Sequence, residues 1–267
     1  MNHITVAALN YYPVKSCAGI SLTKAFASPR GFINDRIFMI VDEQGLFITQ
    51  RDVPVLALIR PELNKTELTL DAPGKTPCTI RIDETGVTYP VQVWNDSCMA
   101  VDQGEKISAW ISEFIGMKSR LVIMHKSHQR IVDQNYALSA ADQVGFSDGF
   151  PFLIISTASL EDLNSRMEET LPMDRFRPNI VIEGCSPYQE DEIKQIKIGE
   201  VVLDIVKPCI RCVITTIDQK TLQKSKEPLA TLATYRRSES GGVRFGQNAI
   251  HQNNGWMKTG DLVQIIK

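Results

Sequence analysis

Long apolar runs, a surplus of either charge and a second cysteine knuckle are all missing from this sequence, and each absence removes a class of function. No apolar run approaches the roughly 18 residues that a membrane-spanning helix needs. The opening MNHITVAALNYYPVKS has neither the basic stretch nor the long apolar segment of a secretory signal. Lys and Arg number 29 against 31 Asp and Glu, a net charge of −2. That balance offers no general attraction for nucleic acid, so any anion site must be local. Six cysteines in 267 residues are too few for a disulfide scaffold, and they read as reduced thiols of a cytoplasmic protein. There is no internal repeat and no low-complexity segment.

Short β-branched and aromatic runs are what the chain does contain. ITVAALNYYPV, RIFMIVDEQGLFITQRD with a turn at Glu43-Gln44-Gly45, ELTLDAPGKTPCTIRI and GVTYPVQVW all read as strands. Close spacing of such runs points to a twisted sheet or barrel rather than alternating βα units. The period then changes: Ile107, Trp110, Ile111, Phe114 and Ile115 recur at helical spacing. Residues 159–169 and 228–237 predict two further helices, the last opened by Pro228. Between them PFLIIS, NIVIEG, KIGEVVLDIVKP and CVITTI are strand-like. The polar segment 124–146 is a long functional loop or a joint. The expected fold is mixed α/β but β-rich, with peripheral helices and a division into residues 1–120 and 121–267.

The chemistry concentrates in KPCIRCVITTID, residues 207–218. A structural zinc site takes four ligands, usually two such knuckles, and His3, His125, His128 and His251 have no matching spacing. A redox dithiol places its first cysteine at a helix N-terminus, whereas Val-Ile-Thr-Thr-Ile after Cys212 favours a strand. In an extended segment residues three apart face opposite sides, so one thiol can meet a pocket while the other packs inside. What stays open is a lone thiolate favoured by Lys207 and Arg211, or two inert buried thiols.

Other polar residues sit at strand ends. Lys15 and Ser16 close YYPVKS, a point charge and a hydroxyl suited to phosphate. Arg36 heads one apolar run; Arg175, Arg177 and Asn179 head another, where a surface ion pair is the plain alternative. Asp148 lies in a Ser-Asp-Gly turn, where backbone hydrogen bonds are its ordinary use. Gln247 and Asn248 follow a glycine bend.

Taken in order, YYPVKS, FINDRIFMIVD, FSDGFPFLIIS, RFRPNIVIEG, KPCIRCVITTID and RFGQN resemble the MOSC family of molybdenum-cofactor proteins. The likeness spans nearly the whole chain, including the β-barrel domain that precedes MOSC, and is strongest to the YcbX-like and amidoxime-reducing branch. It implies a MOSC β-barrel core beside a packed N-terminal β-barrel-like domain. It implies the molybdenum cofactor, Mo-molybdopterin, with Cys212 as metal ligand and catalytic residue and Asp148 as an acidic residue near the metal. The cofactor's phosphate contacts would be Lys15, Ser16, Arg36, Arg177, Asn179 and Arg211. The implied reaction is reduction of hydroxylamines, N-hydroxylated bases and amidoximes to amines and amidines. Ile210 stands where relatives often carry a small polar residue. No cluster-type cysteine spacing is present, so the resemblance implies a separate electron-donor protein, an iron–sulfur, flavin or haem protein. A carrier of sulfur or of the cofactor, working through Cys212, is the alternative.

Overall fold

A computed structural model describes residues 3–239 and 241–267. Its largest unit is an eight-stranded sheet ordered Val263–Ile265, Gln195–Ile198, Val201–Ile210, Arg244–His251, Phe152–Ser156, Ile180–Glu183, Thr5–Tyr11, Ile20–Leu22. Every neighbouring pair is antiparallel except Phe152–Ser156 with Ile180–Glu183. The N-terminal strand therefore completes a sheet made chiefly from the second half of the chain.

That strand also touches the far end of the sheet without closing a barrel. Its first residues leave one edge unpaired by Ile20–Leu22, and this edge meets the segment before Val263. Thr5 bridges Leu262; Val6 N–H donates to Asp261 O at 3.0 Å and Val263 N–H to Ile4 O at 2.8 Å. The contact is one bridge rather than a ladder, and it satisfies backbone groups that an open edge would expose.

The apolar residues follow this topology. Val6, Leu9, Ala25, Ala27 and Phe32 share one core with Phe152, Ile154, Ile180, Ile182, Leu203 and Met257. A second core lies under the sheet Phe38–Val41, Arg120–Met124, Asp96–Asp102, Thr88–Val93 and the helix Glu105–Ile115. The helix buries Ile107, Trp110 and Ile111 as their spacing requires. It stops at Gly116, whose φ of 74° closes the last turn with a bond to Ser112 O. A third sheet pairs Gly255–Lys258 with Lys24–Ser28, again joining the two ends of the chain.

Several local expectations shift. The helix expected over 159–169 spans Thr157–Ser165, because Ser156 caps it by accepting from Ser159 N–H. The third helix is Leu229–Tyr235. The return arm after Gly45 makes isolated bridges from Leu46 and Phe47 rather than a strand. The larger correction is CVITTI, which is a 3₁₀ turn at Val213–Thr216 and not a strand. Two hydroxyls explain it: Thr215 Oγ1 donates to Cys212 O at 2.9 Å and Thr216 Oγ1 to Val213 O at 2.7 Å. This local back-bonding outweighs the strand preference of β-branched residues. The segment 125–151 has no named strand or helix, only one bridge between Ile131 and Gln143.

Candidate functional site

Strand ends and turns from both halves of the chain converge on one cleft, with an empty volume of about 880 Å³ including its open mouth. Lys15, Ser16, Arg36, Asp148, Arg177, Asn179, Arg211 and Cys212 all line it. Three of these positions are unusual in backbone. Ser16, Arg36 and Arg177 have φ of 68°, 49° and 56°, the left-handed region that ordinary residues seldom occupy. Such conformations persist only where neighbours over-determine them.

The neighbours are visible. Gln50, fully buried, donates from Nε2 to Ser16 O at 2.6 Å and exchanges reciprocal 3.1 Å bonds with the Gln219 amide. One side chain thus ties the Ser16 turn to the segment that follows Cys212. Arg36 Nη1 donates to Asp35 Oδ2 at 2.5 Å and to Asn179 Oδ1 at 3.1 Å. Asn179 is saturated: its Oδ1 also accepts from Leu153 N–H, and its Nδ2 donates to Asn10 O and Asp35 Oδ2. It lines the cleft but has no free hydrogen-bonding group for a ligand.

Two arginines differ from that pattern. The Arg177 guanidinium has no hydrogen-bonded acceptor among the described residues; its centre lies 4.3 Å from the Tyr12 ring centroid. Burial lowers its pKa first, and the neighbouring Arg36 adds to the effect. Arg211 donates to Phe176 O at 2.7 Å and contacts Cys209 Sγ at 3.0 Å, and its Nε is buried without a partner. Donors left without a protein acceptor on half-buried guanidinium groups are what an incoming anion satisfies.

Cys212 is exposed and Cys209 half-buried, and both line the cleft. Opposite-facing thiols were expected from an extended segment, but the strand ends at Ile210 and the chain turns at Cys212. Cys209 meets Arg211 rather than packing in the core. The other four thiols are held back by burial, which pushes Cys17 up to about 12 and Cys98 up to about 11 and also raises Cys78 and Cys185. Lys207 is not near Cys212 in role: its ammonium sits over Tyr136, 4.3 Å from the ring centroid.

Across the cleft, Lys15 Nζ donates to Asp148 Oδ1 at 2.7 Å and to Phe146 O at 2.8 Å. Burial opposes ionisation of Asp148, but its side chain keeps 69% of its exposure, so water relieves most of that penalty. The charge and hydrogen bond of Lys15, the charge of Arg51 and the Trp94 Nε1–H bond then hold the carboxyl well below the usual range. Burial lowers the Lys15 ammonium, while Asp148 pulls it back up. The pair is a fixed carboxylate beside a proton-bearing amine.

Sequence reasoning missed Gln50 and Arg51, which line the cleft, and Tyr12, Asp35, Trp94 and Arg130, which hold its lining residues. Arg130, also buried, donates to the carbonyls of Gly145 (3.0 Å), Ser147 (2.5 Å) and Asp148 (3.3 Å) and so holds the Asp148 turn from behind. The polar HQRIVD stretch held only a weak hint of it. Among the described residues no three His, Cys, Asp or Glu side chains are grouped to hold a bare ion.

A sheet-built cleft that joins one exposed thiol to a buried lysine and three half-buried arginines defines a site of a sulfur ligand beside an anion-binding surface. The MOSC N-terminal beta barrel domain matches residues 3–118 and the MOSC domain residues 141–264. The chain belongs to the MOSC family. It is 36% identical to the mitochondrial amidoxime-reducing component 1 of Mus musculus, over 98% of this chain and 82% of that one. Identity to the human component 1 is 35%, over 98% and 83%. The molybdenum cofactor sulfurase of Danio rerio is 32% identical over 93% of this chain but only 32% of its own length. Among the described residues no helix is long and apolar enough to cross a membrane.

Proposed function

We propose that this protein binds the molybdenum cofactor in the cleft and reduces N-hydroxylated compounds to amines or amidines. The observation that carries the reading is the convergence of the Cys212 sulfur with the half-buried Arg177 and Arg211 and the buried Lys15 in one cavity. The donor set fits the group. Ser16, Arg177 and Arg211 offer a hydroxyl and guanidinium donors to a phosphate, and Cys212 offers a soft thiolate to the metal. Among the described residues no three His, Cys, Asp or Glu side chains are grouped at Cys212, and a metal there would take its other ligands from the pterin. The relatives named amidoxime-reducing components support the substrate class.

The bound group would supply two-electron redox chemistry at the metal. The residues' own tasks are binding, orientation and protons. Arg177, Arg211 and Ser16 grip the anionic end, while Arg36 is aimed by Asp35 and Asn179. Reduction of an N–OH group to N–H consumes two electrons and two protons and releases water. Asp148, held ionised, accepts a hydrogen bond from Lys15 Nζ and orients it, and the Lys15 ammonium, which itself lines the cleft, is the group that gives the proton. Electrons come from a separate donor protein, the iron–sulfur, flavin or haem partner that the resemblance implies.

A sulfur- or cofactor-carrying role is the second reading, favoured by the exposure of Cys212 and the likeness to the sulfurase. The two are separated by reducing benzamidoxime or a hydroxylamine with a chemical donor, using protein from a host that makes the cofactor. Turnover supports the reductase; a persulfide on Cys212 with no molybdenum supports the carrier.

A further inference from the structure

Tyr12 touches both arginine-bearing turns with every group it has. Its N–H donates to Asp35 Oδ1 at 2.7 Å and its carbonyl accepts from Arg36 N–H at 2.8 Å. Its hydroxyl donates to Pro178 O, next to Arg177, at 3.1 Å. Its ring centroid lies 4.2 Å from the Arg36 guanidinium carbon and 4.3 Å from that of Arg177. The ring is itself fixed: it is 3% exposed, and a Cβ added to Gly19 would fall 2.4 Å from its Cε1.

The chemistry of the partner matters here. A carboxylate would hold an arginine by neutralising it and occupying its N–H groups, which would repel and displace a phosphate. An aromatic face attracts the cation while leaving the in-plane donors unused. Arg36 has both kinds of support, Asp35 and the ring; Arg177 has the ring and no hydrogen-bonded acceptor among the described residues.

We propose, on the cofactor reading above, that Tyr12 is the positioning residue for the anion end of the cleft: its ring, backed by Gly19, holds Arg36 and Arg177 charged and aimed with the Arg177 donors free for phosphate. Arg177 also lines a second cavity, which Tyr12 shares, so the stack bears on which of the two its guanidinium serves.

The test titrates inorganic pyrophosphate calorimetrically into the full chain made in a host that cannot synthesise the pterin. Pterin content is measured in parallel after expression in a host that can. Tyr12→Leu is expected to weaken pyrophosphate binding by about tenfold and to lower pterin retention. Gly19→Ala, which displaces the ring without touching either arginine, is expected to do the same while unfolding cooperatively, and it decides the matter if Tyr12→Leu does not fold. Tyr12→Phe keeps the ring and recovers most of the loss. Wild-type affinity in the folded Gly19→Ala and Tyr12→Leu proteins overturns the proposal, as does a loss in Tyr12→Phe equal to that in Tyr12→Leu. Ring-dependent pyrophosphate binding without any pterin retention upholds the role of Tyr12 and removes the cofactor reading instead. No pyrophosphate binding by the unsubstituted protein overturns both.

Discussion

At the scale of single residues, the cleft separates groups that present chemistry from groups that aim them. Cys212 presents a sulfur at an exposed turn, while burial and a raised pKa keep Cys17, Cys78 and Cys98 as thiols. A limiting dose of a maleimide is therefore expected to label Cys212 ahead of those three, read by peptide mass spectrometry. Cys212→Ser should change folding stability by no more than about 0.5 kcal/mol, as is usual for an exposed position, measured by urea unfolding. The Lys15–Asp148 pair makes a prediction about pH. Burial lowers the Lys15 pKa and Asp148 raises it, so Asp148→Asn removes the restoring influence. Lys15 then loses its proton at a lower pH, and the alkaline limb of the pH–rate profile moves to lower pH. An unmoved limb would take Lys15 out of proton delivery. These residues were readable in advance because each carries a charge or a sulfur at a strand end. Tyr12, Gln50 and Trp94 were not, because their roles arise only from partners far away in sequence; Gln50 and Gln219 are 169 positions apart.

At the scale of elements, two turns carry the catalytic candidates, and each is braced by a buried arginine. Arg175 Nη2 pairs with Asp218 Oδ2 at 2.7 Å and so holds the segment after Cys212. Arg130 holds the Gly145–Asp148 turn through three carbonyls and pairs with Asp96 Oδ2 at 2.7 Å. Replacing Arg130 by Ala leaves those carbonyls without their donor and should cost about 2–3 kcal/mol, seen as a lower urea midpoint. Helix Glu105–Ile115 was legible because its apolar spacing has one solution. The turn Val213–Thr216 was not, since propensity favours a strand there and only the threonine back-bonds decide otherwise.

At the scale of the whole molecule, the ends of the chain are woven together. Thr5–Tyr11 pairs with Ile180–Glu183, Lys24–Ser28 pairs with Gly255–Lys258, and one core is shared between them. A β-rich class could be inferred from short alternating runs, but not this pairing, because strand partners are non-local and the alternation does not name them. We propose a joint near residue 120, yet the halves are not independent. A fragment of residues 121–267 leaves Ile180–Glu183 with an open edge and the shared core without Val6, Leu9 and Phe32. Expressed alone it should lack the near-ultraviolet circular dichroism of the full chain; a native-like spectrum would contradict the shared-core account.

The cleft is where these scales meet, and its contents test the account most directly. Molybdenum and pterin are to be measured against protein for the full chain and Cys212→Ser, both purified from a cofactor-producing host. The account predicts stoichiometric molybdenum and pterin in the unaltered protein, and loss of molybdenum or of turnover in Cys212→Ser while the fold is retained. An unaltered protein that carries neither, or a Cys212→Ser protein that keeps both metal and turnover, would contradict it.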